Sequence, residues 1–314
     1  MSSLQLPAGA IAVTGVCSAL GRRLTRRLHR GGRVVGIDER GFPDRPRDVV
    51  HHRVEFWRKR VRDALRREPI GAVVHLVGYH DDRSDSLDRA RNIGGFKLLL
   101  DHVRELGIHK LVLMSTAALY GPRPDNPQLL GEDAPLLGSS TSASRRGLTE
   151  LDMLAQSFLW KHPDVDTVIL RPVNILGPMD NASSSYFRLS PVPTVLGFDP
   201  MVQLLHVDDV VDAILLALRP GVRGVFNLAG APPVALSKAL ARLGRSTLPL
   251  PYAVARAALD GAHRLGLAAA LGTDVEHLRY VCMVDDQRAR QVLGYRPRFD
   301  LDQTLRAVDE EGWP

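Results

Sequence analysis

Gly15, Ser18 and Gly21 recur at intervals of three where the apolar run Ile11-Ala12-Val13 gives way to a leucine-periodic segment. A turn opening a helix leaves backbone N–H groups without intrahelical partners, and those groups attract phosphate. Gly15 permits the tight bend and Gly21 lets helix and strand approach, with Cys17, Ala19 and Leu20 completing the turn. Ser18 stands where a further glycine is usual; serine is small enough to keep the turn, and its hydroxyl is a possible donor to phosphate. Such a turn is weak evidence alone, because many strand-to-helix junctions carry glycine. Farther on, Asp38 closes a second apolar run, followed by Glu39 and Arg40. A carboxylate there accepts from adenosine ribose hydroxyls and repels a 2′-phosphate, which favours NAD; Arg40 leaves NADP open. Asp38 read alone as a cap before Gly41 has equal standing. The conjunction of turn, spacing and acid decides for a dinucleotide.

Other groups capable of chemistry lie downstream. Ser115 and Thr116 end an apolar run, Tyr79 and His80 follow another, and Tyr186 falls in a polar stretch. An imidazole at a strand's carboxyl end has a suitable pKa for proton transfer, although Tyr79 and His80 read more simply as the opening of the loop Asp81-Asp82-Arg83. Tyr186 reads as a surface-loop residue or as one that swings over a ligand. His206 with Asp208 and Asp209 suggests a metal, but Asp208 is better read as the N-cap of the next helix. Cys17 reads as a packed residue, or as a redox-sensitive thiol if the helix dipole lowers its pKa.

The elements that must position these groups alternate. Apolar runs at 10–14, 33–38, 72–77, 110–115 and 167–170 read as strands, and helical periodicity covers 21–29, 61–67, 92–105 and 143–160. That order predicts an α/β protein with a mostly parallel, helix-covered sheet. The second half is less regular, with a helix at 208–218, a strand at 224–228 and an alanine- and leucine-rich helical region at 252–271. That last region reads as a lid or core helix, with an interfacial lipid-touching helix as the alternative.

At 314 residues and 45% hydrophobic, the chain can bury a full core. The net charge of +6 comes with only five lysines among 41 basic residues. The arginines are scattered and aromatics make up only 5%, so the basic balance points away from nucleic acid as a partner. The densest run, Arg22 to Arg33, alternates with Leu24 and Leu28 and reads as the solvated face of the first helix. Cys17 and Cys282 have no metal or disulfide spacing, no signal peptide is apparent, and no apolar stretch reaches membrane-span length. A cytoplasmic protein is expected.

In order, these segments resemble the extended short-chain dehydrogenase/reductase family, in its NAD-dependent epimerase/dehydratase branch. Thr14-Gly15 through Gly21 is similar to its phosphate loop, and Val74-His75-Leu76-Val77-Gly78 to its fourth strand. Asn92-Ile93-Gly94-Gly95 is similar to the helix whose asparagine supports the active site, and Ser115 through Gly121 to the strand bearing the catalytic hydroxyl. Leu170-Arg171-Pro172-Val173-Asn174-Ile175-Leu176-Gly177-Pro178 matches the sixth-strand signature, and His206-Val207-Asp208-Asp209-Val210 the approach to the substrate lobe. The resemblance implies a Rossmann-type doubly wound parallel sheet with a smaller, mainly helical C-terminal substrate lobe. The dinucleotide-binding domain would be 1–177, rejoined by about 200–230, with 178–314 mostly substrate lobe. It further implies cofactor contacts from Leu76, Val77, Gly78, Pro172 and Asn174, catalytic support from Thr116 and Asn92, and substrate contacts from His80, Thr116, Asn174 and Tyr186. Tyr120 would be structural. A small-molecule substrate follows, with a homodimer left open.

The departures from the family are as telling. Its tyrosine, four residues before a lysine on one helix face, moves a proton while the lysine lowers the phenol pKa and holds ribose. Here Ser142 and Arg146 stand at those places, with Glu150 where the family has glutamate. No tyrosine occurs between Tyr120 and Tyr186 and no lysine between Lys110 and Lys161. A serine is too weak an acid to replace a phenol, and Arg146 retains only the lysine's binding role. Val202 and Gln203 stand where the family has a phosphate-binding arginine. The leading expectation is an NAD(P)-binding epimerase, dehydratase or reductase for a sugar-like or small polar substrate, with an atypical site. The alternatives are a catalytically silent NAD(P)-binding sensor or scaffold and, last, a nucleic-acid-binding relative.

Overall fold

The computed structural model describes residues 6–76, 86–138, 143–264 and 275–310. Its centre is a seven-stranded sheet built from β1 (Ala10–Thr14), β2 (Val34–Asp38), β3 (Val50–Arg53), β4 (Ile70–His75), β5 (Lys110–Met114), β6 (Asp166–Pro172) and β11 (Gly224–Leu228). The order is β11-β6-β5-β4-β1-β2-β3, and every pairing is parallel. Strands β1, β2 and β5 are buried throughout, as strands covered on both faces must be. Chain order reverses between β1 and β4, and ligands of open α/β sheets bind in the crevice outside the strand carboxyl ends at such a switch point. This is the parallel, helix-covered sheet that the alternating runs predict and the doubly wound Rossmann-type form that the resemblance implies.

Helices α1 (Ala19–Leu28) and α6 (Val207–Ala217) cover one face of the sheet. Helices α2 (Arg60–Arg66), α3 (Ser86–Glu105) and α4 (Ala143–Lys161) cover the other. The basic run of α1 is not simply solvated. Arg23 reaches Asp208 at 3.0 Å and Arg27 reaches Asp212 at 2.9 Å, tying α1 to α6, while Arg22 lies 3.5 Å from Asp44. The periodicity of one helix cannot reveal that a second, acidic helix lies alongside it.

A third apolar cluster lies apart from the sheet. It gathers β8 (Val192–Val195), α7 (Leu236–Arg242) and α8 (Tyr252–Arg264), with Leu176, Tyr186, Phe187, Ala239 and Ala255 among its buried members. Short strands β7 (Asn174–Leu176) and β10 (Leu204–His206) pair in parallel, β9 (Met201–Val202) and β12 (Val234–Ala235) pair antiparallel, and β13 (Thr247–Leu250) pairs with β8. Helix α5 (Ala182–Arg188) carries Tyr186 into this cluster. Strand β3, whose residues Val-His-His-Arg give no apolar signal, is the sheet element that sequence patterning does not show. Among the described residues no helix is long and apolar enough to cross a membrane.

Candidate active site

The turn between β1 and α1 is held by its own polar groups. Gly15 has φ +75°, a conformation open chiefly to glycine, and donates to the Ile37 carbonyl at 2.9 Å. A Cβ on Gly21 would fall 2.5 Å from the Gly15 oxygen and 2.7 Å from that of Val16, so helix and strand touch at that point. Ser18 is the N-cap: its hydroxyl accepts from the Gly21 amide at 3.0 Å and donates to the Gly15 carbonyl at 2.8 Å. The hydroxyl is thus used inside the turn, which corrects the reading of it as a phosphate donor. An N-cap oxygen faces the amides of its own first turn, and the proton left over finds the nearest carbonyl. The amides of Ala19 and Leu20, which no helical carbonyl can reach, remain for an anion, and Ser18 and Ala19 are half-exposed. A pyrophosphate therefore fits this turn.

Beside it, the Asp38 carboxylate accepts from the Cys17 amide at 2.9 Å and the Arg40 amide at 3.0 Å. The Arg40 side chain adds two more bonds, at 3.0 and 3.2 Å. Burial pushes the Asp38 pKa up, but the hydrogen bonds from Arg40 and Cys17 outweigh it and hold the carboxyl below its ordinary range. Glu39 is exposed. The Cys17 thiol lies 3.4 Å from the Gly41 carbonyl, and burial, reinforced by Asp38, pushes its pKa up to about 11. Burial and the neighbouring carboxylate favour the protonated thiol, which suits the reading of Cys17 as a packed residue. Leu76 continues β4, donating to the Thr14 carbonyl at 3.1 Å. His75, below it, shares a 2.7 Å hydrogen bond with the Thr14 hydroxyl and packs between Phe56 and Phe96.

On the other side of the crevice, Thr116 leaves β5 extended and caps the short helical turn Ala117–Tyr120, accepting from the Ala118 amide at 3.2 Å. Its hydroxyl proton is then available to a substrate oxygen. Asn92 is half-buried on α3, and Pro172 ends β6 opposite Leu228. Asn174 is exposed, donating to the Gln203 carbonyl at 3.1 Å and accepting from Ser183 at 3.0 Å. Val77, Gly78, His80 and Ser142 lie outside the described residues.

Helix α4 presents a different face from the one expected. Glu150 and Arg146 are exposed, whereas Asp152 is fully buried. Two residues are separated by about 200° around a helix, so only one of Glu150 and Asp152 can face the sheet. Position 148 shares the face of Asp152, and Arg146 lies off it. Arg145 is half-buried, and its positive charge acts on the Cys282 thiol, which burial nevertheless raises to about 11. The Cys282 sulfur lies 3.9 Å from the Ala117 carbonyl.

Asp152 anchors a buried network that no sequence motif announces. It accepts from Ser115 at 2.5 Å and from Arg171 at 2.7 and 3.0 Å. Arg171 also donates to the Tyr120 hydroxyl at 2.8 Å, which in turn donates to Asn227 at 2.8 Å. The Asn227 amide nitrogen closes on the carbonyls of Leu130 and Asp285. Tyr120 is structural, as the resemblance implies. Tyr186 is neither a surface residue nor poised over a ligand: it is 3% exposed, donates to the Pro193 carbonyl at 2.8 Å, and burial raises its pKa. Its place on α5 directs the ring into the apolar cluster. Asp208 is likewise not the cap of α6; His206 is, its Nδ1 accepting from the Asp208 amide at 3.1 Å while its ring stacks on Phe299 at 3.7 Å. Gln203 turns both ends of its amide onto the Val284 backbone, at 3.0 and 2.8 Å.

Known proteins share this fold. A solved dTDP-glucose 4,6-dehydratase of Bacillus anthracis, in complex with NAD, superposes with a TM-score of 0.72 at 18% identity over 96% of this chain and 95% of that one, a likeness of fold. An uncharacterized protein of Mycobacterium tuberculosis is 29% identical over 315 residues, covering 96% of this chain and 82% of its own length. A UDP-glucuronate 4-epimerase of Thermodesulfobacterium geofontis is 23% identical over 334 residues, covering 95% and 94%. The model of the NAD dependent epimerase/dehydratase family matches residues 11–229, from the first strand through the last strand of the sheet. The phosphate turn, the acid closing β2 and the hydroxyl beyond β5 all lie within that span, and the chain belongs to the NAD dependent epimerase/dehydratase family.

Proposed function

We propose that this chain binds NAD in the crevice between β1 and β4 and works on a hydroxyl or carbonyl carbon of a sugar-like or small polar substrate. The observation that carries the reading is the N-terminus of α1: a glycine-tight, half-exposed turn whose Cys17 amide lies 2.9 Å from the carboxylate ending β2. Phosphates and ribose diol are recognised by those two features together. Bound there, NAD supplies the hydride acceptor. Thr116 holds the substrate oxygen through its hydroxyl proton, and the Asp152–Arg171–Tyr120 network keeps that turn in place. No phenol–ammonium pair faces the crevice from the described part of α4, so the proton that accompanies hydride transfer must be exchanged with solvent or with the substrate itself. Slow turnover follows, since positioned acid–base groups contribute about 10²–10⁴-fold.

The test is calorimetric titration with NAD, then turnover assays with sugar nucleotides and simple carbonyl compounds, followed by absorbance of the reduced nicotinamide. Binding with slow turnover that Thr116→Ala abolishes is the expected result. Absence of NAD binding by folded protein would overturn the reading. A second reading, a silent NAD-binding sensor, draws support from the exposed Arg146 and the buried, hydrogen-bonded Tyr120 and Tyr186. It predicts undiminished binding with no turnover on any substrate.

A further inference from the structure

The geometry points to a second anion site in this chain, an open pocket between β3 and α2 that takes a small molecule carrying a phosphate dianion. The site is independent of the cofactor reading: neither the phosphate turn nor Asp38 lines it.

The pocket follows from how the sheet ends. Strand β3 is the last in the order and pairs with β2 alone. The Val54 amide donates to the Asp38 carbonyl at 3.0 Å, so the alternate amides, those of His51 and Arg53, point out along the open edge. Helix α2 runs beside that edge and turns Arg60, Asp63, Ala64 and Arg67 toward it, at the i, i+3, i+4, i+7 spacing of one helix face. Side chains alternate along β3. His51 turns to the α1 side, where its Nε2 lies 4.0 Å from the Cys17 sulfur, and His52 turns to the α2 side, within reach of the Arg67 charge. Strand and helix enclose a pocket of about 440 Å³. That size suits a small molecule and exceeds a bare phosphate, leaving room for an organic part.

The pocket walls carry three guanidinium groups, from Arg53, Arg60 and Arg67, against one carboxylate, Asp63. All four residues are exposed. Arg53 gives its Nε to the Glu39 carbonyl at 2.9 Å, leaving its terminal nitrogens. Arg62, on another face of the same helix, takes Glu105 at 2.8 Å, and Arg58 takes Glu55. Among the described residues neither Arg60 nor Arg67 takes a carboxylate. Cations gathered round a concavity repel one another, and low-dielectric walls focus their field on an anion. Their forked donors and the outward amides outnumber the lone pairs of a single carboxylate. A phosphate dianion brings three terminal oxygens and two charges, and guanidinium forks match its geometry.

The experiment is calorimetric titration of the full chain with inorganic phosphate and with glucose 6-phosphate at constant ionic strength. Wild type is compared with the double variant Arg60→Gln/Arg67→Gln and with Asp63→Asn, and each is also titrated with NAD. The substituted residues are exposed, and circular dichroism melts check that each variant is folded. The double variant should bind both phosphate probes about tenfold or more weakly, whereas Asp63→Asn should tighten them about two- to five-fold. NAD affinity should stay within about twofold in both, because exposed charges are screened from the turn. In nuclear magnetic resonance spectra, glucose 6-phosphate should shift the His52 imidazole signals, identified by their loss in His52→Gln, and should leave them in place in the double variant. Folded wild type that binds neither phosphate probe would overturn the site. Binding undiminished in the double variant would overturn it too, and would place the anion at the phosphate turn. Phosphate probes that bind wild type and not the double variant sustain the site even where NAD binds neither, so the two readings fail separately.

Discussion

Two aspartate–arginine pairs flank the crevice, and they do opposite work. Asp152–Arg171 is sealed, with side-chain exposures of 0% and 1%, and its remaining polar atoms are met by Ser115, Gln156, Tyr120 and the Glu132 carbonyl. Asp38–Arg40 has the same forked geometry, but the arginine side chain is 59% exposed over an aspartate that is 4% exposed. Removing one partner of the sealed pair strands a charge in a medium that cannot solvate it, whereas Asp38 keeps the Cys17 and Arg40 amides when the guanidinium is removed. Identical chemistry is therefore sealed in one place and half-exposed in the other. On the function proposed above, the half-exposed pair edges the nucleotide half of the crevice and the sealed pair underlies the catalytic half.

The comparison breaks most directly at Arg171. Replacing it with Met should cost about 3–5 kcal/mol in urea unfolding, while the double change with Asp152→Leu should recover most of that loss. A single variant within about 0.5 kcal/mol of wild type would mean that the pair is not what holds α4 to β6. Next comes Gly21→Ala, whose methyl would collide with two backbone oxygens of the turn. About 1–3 kcal/mol should be lost, together with NAD binding, since the turn must open to admit the methyl. Retained NAD affinity would show that the turn does not hold the phosphates.

Acidification tests the floor between the two halves. Burial lowers the His75 pKa from 6.5 to about 3, so the imidazole is neutral in the fold and the unfolded chain takes up the proton first. Its contribution is full above about 6.5 and is lost progressively as pH falls toward about 3, at about 1.4 kcal/mol per pH unit. Melts recorded through that window should show the slope, and His75→Asn should flatten it; an unchanged slope assigns the acid sensitivity elsewhere. The smallest effect belongs to the half-exposed pair. Because two backbone amides remain on Asp38, Arg40→Ala should change unfolding stability by less than about 1 kcal/mol, and a larger loss would place Asp38–Arg40 with the scaffold.

The nucleotide half was the more legible in sequence because its chemistry is local. Gly15, Ser18 and Gly21 lie within one turn, and Asp38 follows on the adjoining strand. The catalytic half was legible only in part. Thr116 could be named from its strand, but which residues of α4 face the crevice could not, because a displacement of two residues moves a side chain to the far side of a helix. Glu150 stands where the family has its glutamate, but Asp152 is the acid of α4 that bonds Arg171. Tyr186 looked like a loop residue because its polar neighbours Ser183, Ser184 and Ser185 conceal the apolar cluster waiting in another part of the chain.

Alternating apolar and helical runs were enough by themselves to predict the parallel, helix-covered sheet, and the ordered motifs from Thr14-Gly15 to His206-Val207-Asp208 carried the resemblance to the family. Local spacing carries that information because strand, turn and helix are each specified by neighbouring residues. Only the tertiary structure decided which face of α4 is buried, that Arg171 bonds Asp152 and Tyr120, and that Arg40 folds back on Asp38. Those outcomes depend on where a side chain finds desolvated space and a charged partner, quantities set by packing between segments distant in the chain.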